Sequence, residues 1–411
     1  MHSDPRAFWR PFDQAAHPAP LPRITRGSGL SVFGDDGTEY LDAISGSYNH
    51  CFGHGDAQLL DAVQRQMHRL VHFCSVTGDT GLTEELAATL VEHLAVPGLR
   101  HVFLTLSGSE GIETALKMAW QFHRNRGAAR QKIASLADAY HGCTMGALYA
   151  TQRGFCKDGL PFVSGDDSLA VPPPHQGGDL EVWRELLERQ GEAIAAIVVE
   201  PVMGLAGAIE QPPGFLRGLC ALARQHGVLV IADEVFCGIG RAGSLCEAAA
   251  QGAEPDIVVF SKCLGGGFPI TATVASDSVF AGFLGDSMDR AFRSGHTQTG
   301  NLLGCAAALH VLRRIRDEDW CGQVRRAGVA LREALESALT GSAEVATVRG
   351  KGLMLGIECT SFDACGAVQA RARAQGLLVG TAGKVVKVAP AFPISSQQSA
   401  QLVELLARSA R

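Results

Sequence analysis

The chain has 411 residues, 46% of them apolar and 19% charged, with a formal net charge of −6. The apolar share supports a buried core and excludes wholesale disorder, and the 48 glycines follow no Gly-X-Y period, which excludes collagen. Acids outnumber bases 42 to 36, so no basic field exists for nucleic acid, and no apolar run nears the ~18 residues of a membrane span.

The opening MHSDPRAFWRPFDQ lacks a charged segment followed by an apolar one, so no signal peptide and a cytoplasmic protein are expected. The 12 cysteines are spread along the chain, with no C-x-x-C and with Cys359 and Cys365 as the closest pair. That spacing predicts free thiols and no metal site.

In chain order, residues 20–45 carry DDGTEYLD, a turn between short strands. HVFLTL (101–106) is a strand, followed by a helix over Ser109–Arg126. KIASLADAY (132–140) holds the next strand. Pro161–Gly178, rich in Pro, Gly and Asp, is predicted to be a long loop. AIAAIVVEP (193–201), GVLVIADEV (227–235), DIVVFSK (256–262) and ITATVAS (270–276) are further strands, with a helix over Phe215–His226. Several runs are apolar throughout, which suits strands buried on both faces. Residues 306–411 begin with helices and continue through VATVRGKGLMLGIE and KVVKVAPAF. The expected fold is therefore α/β, with a mainly parallel central sheet in a large domain over 46–305. Residues 1–45 and 306–411 are expected to form one smaller α+β domain from the two chain ends.

CGIGRAG contains a formal G-x-G-x-x-G at Gly238, Gly240 and Gly243. A dinucleotide site needs a full helix and then a strand that ends in an acid. Here only a dozen residues intervene and Asp256 precedes its strand, so that reading fails. No G-x-S-x-G, H-E-x-x-H or Walker A sequence occurs.

Lys262 ends an apolar strand and precedes CLGGGFP. Alone it would be an ordinary strand-end lysine. Its company changes the reading. Asp233 ends another strand, Tyr140-His141-Gly142 follows a third, and Ser107-Gly108-Ser109 lies where a strand gives way to a helix start. A helix N-terminus binds phosphate through free N–H groups and the macrodipole. A phosphate cradle, a carboxylate, an aromatic face and a lysine are the parts of a pyridoxal phosphate site.

These segments resemble the class III, or omega, aminotransferases of the fold-type I pyridoxal phosphate enzymes. The resemblance runs from about Asp35 to about Pro390. It rests on LSGSEGIETALKMA (106–119), YHGCTMGAL (140–148), VVEPVMGLAG (198–207), IADEVFCGIGRAG (231–243), PDIVVFSKCLGGGFPI (255–270) and HTQTGN (296–301). It implies pyridoxal 5'-phosphate as cofactor and a homodimer with shared active sites. It assigns the Schiff base to Lys262, the pyridinium partner to Asp233 and the two ring faces to Val235 and Tyr140. Gly108 and Ser109 match the phosphate turn, and Thr297 matches a threonine reaching the neighbouring subunit's phosphate. Glu200 matches an active-site carboxylate, and Tyr48 and Trp9 are further substrate-side candidates.

Other residues receive structural roles: His141 as a loop support, Glu234 and Arg241 as a pair, and His54 as a turn residue. The chain also departs from the family pattern. Gly111-Ile112 replaces Ala-Asn, and Phe236 replaces a hydrogen-bonding residue. Lys387 and Gly380 stand where relatives carry substrate-binding arginines. The implied activity is ping-pong transamination between a small-molecule amino donor and a carbonyl acceptor, through Lys262. An aminomutase, decarboxylase or condensing enzyme on the same scaffold is the alternative, and a non-catalytic scaffold protein is a third reading.

Overall fold

The computed structural model describes residues 7–17, 19–160 and 165–411. Near the N-terminus β1 (Ile24–Ser28), β2 (Ser31–Gly34) and β3 (Glu39–Asp42) form an antiparallel meander.

The central sheet follows from the apolar runs. Its strands are β4 (Leu99–Thr105), β5 (Lys132–Leu136), β6 (Ser168–Val171) and β7 (Ile194–Val199). A two-residue hairpin, β8 (Val202–Met203) and β9 (Ile209–Glu210), comes next. β10 (Leu229–Asp233), β11 (Ile257–Phe260) and β12 (Thr271–Ser276) complete the sheet. Every residue of β7, β10 and β11 is buried, as strands covered on both faces require.

Among the described residues the sheet order is β4-β12-β11-β10-β7-β5-β6. Only β12 runs against its neighbours β11 and β4, so the sheet is mainly parallel. The parallel strands bring their C-terminal ends to one edge. Register places Asp233 opposite Val259 and Ala232 opposite Val199, so Asp233 and Glu200 emerge on adjacent strands.

The expected long loop over 161–178 is corrected in part. β6 lies inside it and pairs parallel with β5. Residues 161–164 of that stretch lie outside the described residues.

Beyond the helices Leu302–Asp317 and Trp320–Leu339, β13 (Val345–Lys351) and β14 (Met354–Cys359) form a hairpin. β15 (Leu377–Leu378) pairs parallel with β3 and so ties the two chain ends together. β16 (Gly380–Ala382) and β17 (Val385–Val388) complete the sheet β13-β14-β17-β16. The helix Leu302–Asp317 packs on the helices Ala57–Arg69 and Leu82–Leu94, and it runs through the expected boundary at 305/306. Among the described residues no helix is long and apolar enough to cross a membrane.

Candidate active site

A cavity of about 180 Å³ opens at the strand-end edge. Its first wall is the start of the helix Gly108–Asn125. Ser107 caps this helix by accepting from the Glu110 N–H at 3.3 Å, and Glu110 Oε2 accepts from the Leu106 and Ser107 N–H groups at 2.9 Å each. The N–H groups of Gly108 and Ser109, at the first turn, have no intrahelical acceptor. Both residues line the cavity. Backbone approaches closely here. A Cβ on Gly108 would lie 2.8 Å from Val235 Cγ1, and one on Gly142, whose φ is +116°, would lie 2.8 Å from Ser109 Cα.

Asp233 lies at the end of β10 and is held from two sides. Its Oδ2 is 2.7 Å from His141 Nδ1, and its Oδ1 accepts from the Val235 N–H at 3.0 Å. The loop of His141 is fixed in turn by Thr151, whose Oγ1 accepts from the His141 N–H at 2.9 Å and donates to Gly142 O at 2.8 Å. The His141 ring, set against the carboxylate, orients Asp233. Its buried Nε2 has no partner among the described residues.

Glu200 joins the neighbouring wall. Its oxygens accept from the Tyr140 N–H at 3.3 Å and the Gly204 N–H at 2.7 Å. Burial pushes its carboxyl upward, and nearby Asp233 adds to that. Tyr140 presents its ring to the cavity, with its hydroxyl 3.0 Å from Cys143 Sγ.

Lys262 follows β11 with φ +45°, a left-handed conformation that an L-residue adopts at a cost of roughly 1–2 kcal/mol. Its Nζ lies 5.2 Å from the Phe236 ring centroid. Burial pulls its pKa down, and Asp233 and Glu200 oppose that only in part. The amine is therefore easier to deprotonate than a surface lysine.

Lys262, Asp233, Gly108, Ser109, Tyr140, Val235 and Glu200 thus line one cavity, joined by Leu205 and Phe236. Three predicted residues do not. Tyr48 is buried behind Phe236, with ring centroids 4.3 Å apart. Trp9 is 85% exposed and off the cavity. Thr297 is exposed on the loop before the helix Leu302–Asp317 and does not reach this chain's own cavity. Leu205 carried no signal beyond its place in VVEPVMGLAG.

The expected Glu234–Arg241 pair is corrected. Glu234 accepts from the Ala248 N–H at 2.6 Å and from the Cys237 thiol at 3.1 Å. Arg241, fully buried, donates to the carbonyls of Leu353 and Pro390 and to Ser45 Oγ. Glu234 is consumed by the turn that follows it and Arg241 by segments distant in sequence, so their nearness in sequence does not make them partners. His54 is more than a turn residue, since its Nε2 is 2.8 Å from Asp42 Oδ2.

The family model for class III aminotransferases matches residues 13–409. The chain belongs to the class III aminotransferases. It is 32% identical to the adenosylmethionine-8-amino-7-oxononanoate aminotransferase of Nitratidesulfovibrio vulgaris, over 97% of this chain and 79% of that one. It is 34% identical to the acetylornithine aminotransferase of Corynebacterium efficiens, over 94% and 92%. An amine transaminase from an uncultivated Pseudomonas species, solved with pyridoxal phosphate bound, matches with TM-score 0.93 and 27% identity over 98% of both chains. An omega transaminase of Pseudomonas jessenii matches at 0.91 and 28%, over 98% of this chain and 95% of that one.

As a class III aminotransferase the chain is a pyridoxal phosphate-dependent enzyme that carries out transamination on the fold-type I scaffold. Its own residues fit that cofactor. The open helix start suits a phosphate, and the buried His141 Nε2, unpartnered among the described residues, marks a polar site.

Proposed function

We propose that this aminotransferase works through Lys262, with a small-molecule amine or amino acid as donor and an aldehyde or ketone as acceptor. The observation that carries the reading is the convergence of Lys262, the His141-held Asp233 and an open helix N-terminus on one cavity. When bound, pyridoxal phosphate supplies an aldehyde to hold the amino group and a ring that takes up the electrons of a carbanion.

The protein residues supply the rest. Gly108 and Ser109 hold the phosphate with backbone N–H groups. Val235 and Tyr140 cover the two ring faces and exclude water. Asp233, held by the His141 ring and the Val235 N–H, would face the ring nitrogen and keep its proton in place. Lys262 holds the cofactor between turnovers. Once displaced, its amine would carry a proton away from the substrate carbon and return it one bond further on, since burial lowers its basicity and leaves it easier to deprotonate than a surface lysine. Glu200 borders the substrate side. Thr297 completes the phosphate site of a second copy, in a cytoplasmic homodimer. Residues 1–45 and 306–411 form the smaller domain around the large one.

Purified protein loaded with pyridoxal phosphate tests this. An amine donor alone should convert the bound cofactor stoichiometrically to pyridoxamine phosphate. Lys262→Ala should lose the visible absorbance band of the bound cofactor and lower turnover by orders of magnitude. Carbon dioxide release, or product formation with no cofactor conversion and no acceptor, would point instead to a decarboxylase or a mutase.

A further inference from the structure

Cys143 and Cys156 bring their sulfurs within 3.9 Å of each other, and both are free thiols. Cys143 is the one exposed cysteine among the described residues, and Cys156 is half-buried on the one-turn helix Gly154–Lys157. Two other pairs of thiols touch, Cys51 with Cys263 and Cys359 with Cys365, but all four of those residues are buried. An oxidant arriving from solvent therefore meets Cys143 first. A disulfide needs its sulfurs about 2.0 Å apart, so the pair has only about 2 Å to close. Cys143 lies in the loop after β5 and Cys156 on a single turn, so no sheet or long helix has to break.

The pair matters because of what Cys143 touches. Its sulfur is 3.0 Å from the Tyr140 hydroxyl, and its N–H donates to Ser109 Oγ at 3.2 Å. Thr144 adds a second tie, its Oγ1 donating to Ser109 O at 3.4 Å. Tyr140 and Ser109 both line the cofactor cavity, whereas Cys156 does not. One thiol thus leans on the cofactor's surroundings and the other waits outside them. Burial and the neighbouring Cys143 push the Cys156 thiol up to about 12, so it stays protonated while Cys143 reacts.

We propose that Cys143 and Cys156 form a redox modification site, at which a hydroperoxide closes a reversible disulfide that loosens the grip of Tyr140 and Ser109 on the cofactor. The Cys143 sulfur attacks one peroxide oxygen. The O–O bond breaks, a sulfenic acid forms, and the other oxygen leaves with the thiol proton, as water when the oxidant is hydrogen peroxide. The Cys156 sulfur then attacks the sulfenic sulfur. The S–O bond breaks, and the hydroxyl leaves as water with the Cys156 proton. The two thiols together lose two electrons, and the peroxide gains them. A thiol reductant reverses the change by exchange. Bonded to Cys156, the Cys143 sulfur is drawn off the Tyr140 hydroxyl, and its N–H shifts against the phosphate turn at Ser109.

The test treats the reduced, cofactor-loaded enzyme with hydrogen peroxide, blocks the remaining thiols and digests with trypsin. Cleavage after Arg153 separates the two cysteines, so the disulfide joins peptide 133–153 to Gly154–Lys157, each with a single cysteine. Mass spectrometry should show that linked species, and dithiothreitol should remove it. The oxidised enzyme should lose pyridoxal phosphate on dialysis about tenfold faster than the reduced enzyme, and dithiothreitol should restore the slower rate. Cys156→Ser should release cofactor at the reduced parent's rate, and peroxide should produce neither the link nor the acceleration. Oxidation of other thiols while 143 and 156 stay unlinked overturns the proposal. So does a link that leaves cofactor release unchanged, or an acceleration of equal size in Cys156→Ser. Link and release are both read without substrate, so a failure of the transaminase reading would leave this outcome standing.

Discussion

Lys387 shows how one buried residue sets a pH dependence. Burial pulls its pKa to about 8, with Lys262 and Arg153 pushing the same way and Glu200 opposing. In the unfolded chain a lysine titrates at about 10.4. Between those values the unfolded chain keeps a proton that the folded protein has released, so stability should rise with pH across that window. Below about pH 8 the full cost of the buried charge is present, on the order of 3 kcal/mol. Lys387→Met should therefore raise the urea midpoint at pH 7 and flatten its rise between pH 8 and 10, as urea titrations at several pH values would reveal. A variant less stable than the parent at pH 7 would mean that Lys387 is paired in solution. The sequence placed Lys387 at a substrate-facing position but could not show its burial, because KVVKV alternates no more clearly than any covered strand.

The helix Gly108–Asn125 is where element-scale reasoning changes sign. By propensity, alanine at position 111 would gain about 1 kcal/mol over glycine. In the fold this helix lies against β11 and β12, and a Cβ on Gly111 would run into Thr271 Cγ2 and lie 2.7 Å from Val259 Cγ1. Overpacking of this kind costs about 1–3 kcal/mol. Gly111→Ala should lower the urea midpoint, and by lifting the helix start it should speed cofactor loss on dialysis. A more stable variant would show that the helix can shift at little cost. Other elements divide along similar lines. β7, β10 and β11 were legible because strands covered on both faces are apolar throughout. β6 was missed because SLAV is short, half-exposed and set among Pro, Gly and Asp. The reversed direction of β12 was available in principle. Only residues 261–270 join it to β11, too few for the crossover of a dozen or more residues that a parallel neighbour needs.

At the scale of the molecule, one chain leaves two features unexplained, and the proposed second copy would account for both. Leu70, Val71, Phe73 and Val76 are exposed together, Val76 to 90%. Their segment rests on the loop of Thr297, where Ser75 Oγ donates to Thr299 O at 3.2 Å and a Cβ on Gly300 would lie 3.3 Å from Ser75 Oγ. An apolar patch beside a loop that does not reach its own cavity is what an interface donating that loop would leave in a single chain. This is why the sequence could name Thr297 only through family resemblance. The two roles separate by mutation. Val76→Glu buries a charge in the proposed interface, so sedimentation should show a shift from dimer toward monomer, with cofactor lost in parallel. Thr297→Ala should leave the dimer intact and weaken cofactor retention by roughly tenfold, since a hydrogen bond to a charged group is worth about 1.5–3 kcal/mol. A monomer that retains cofactor as tightly as the parent would place the whole phosphate site within one chain and remove Thr297 from it.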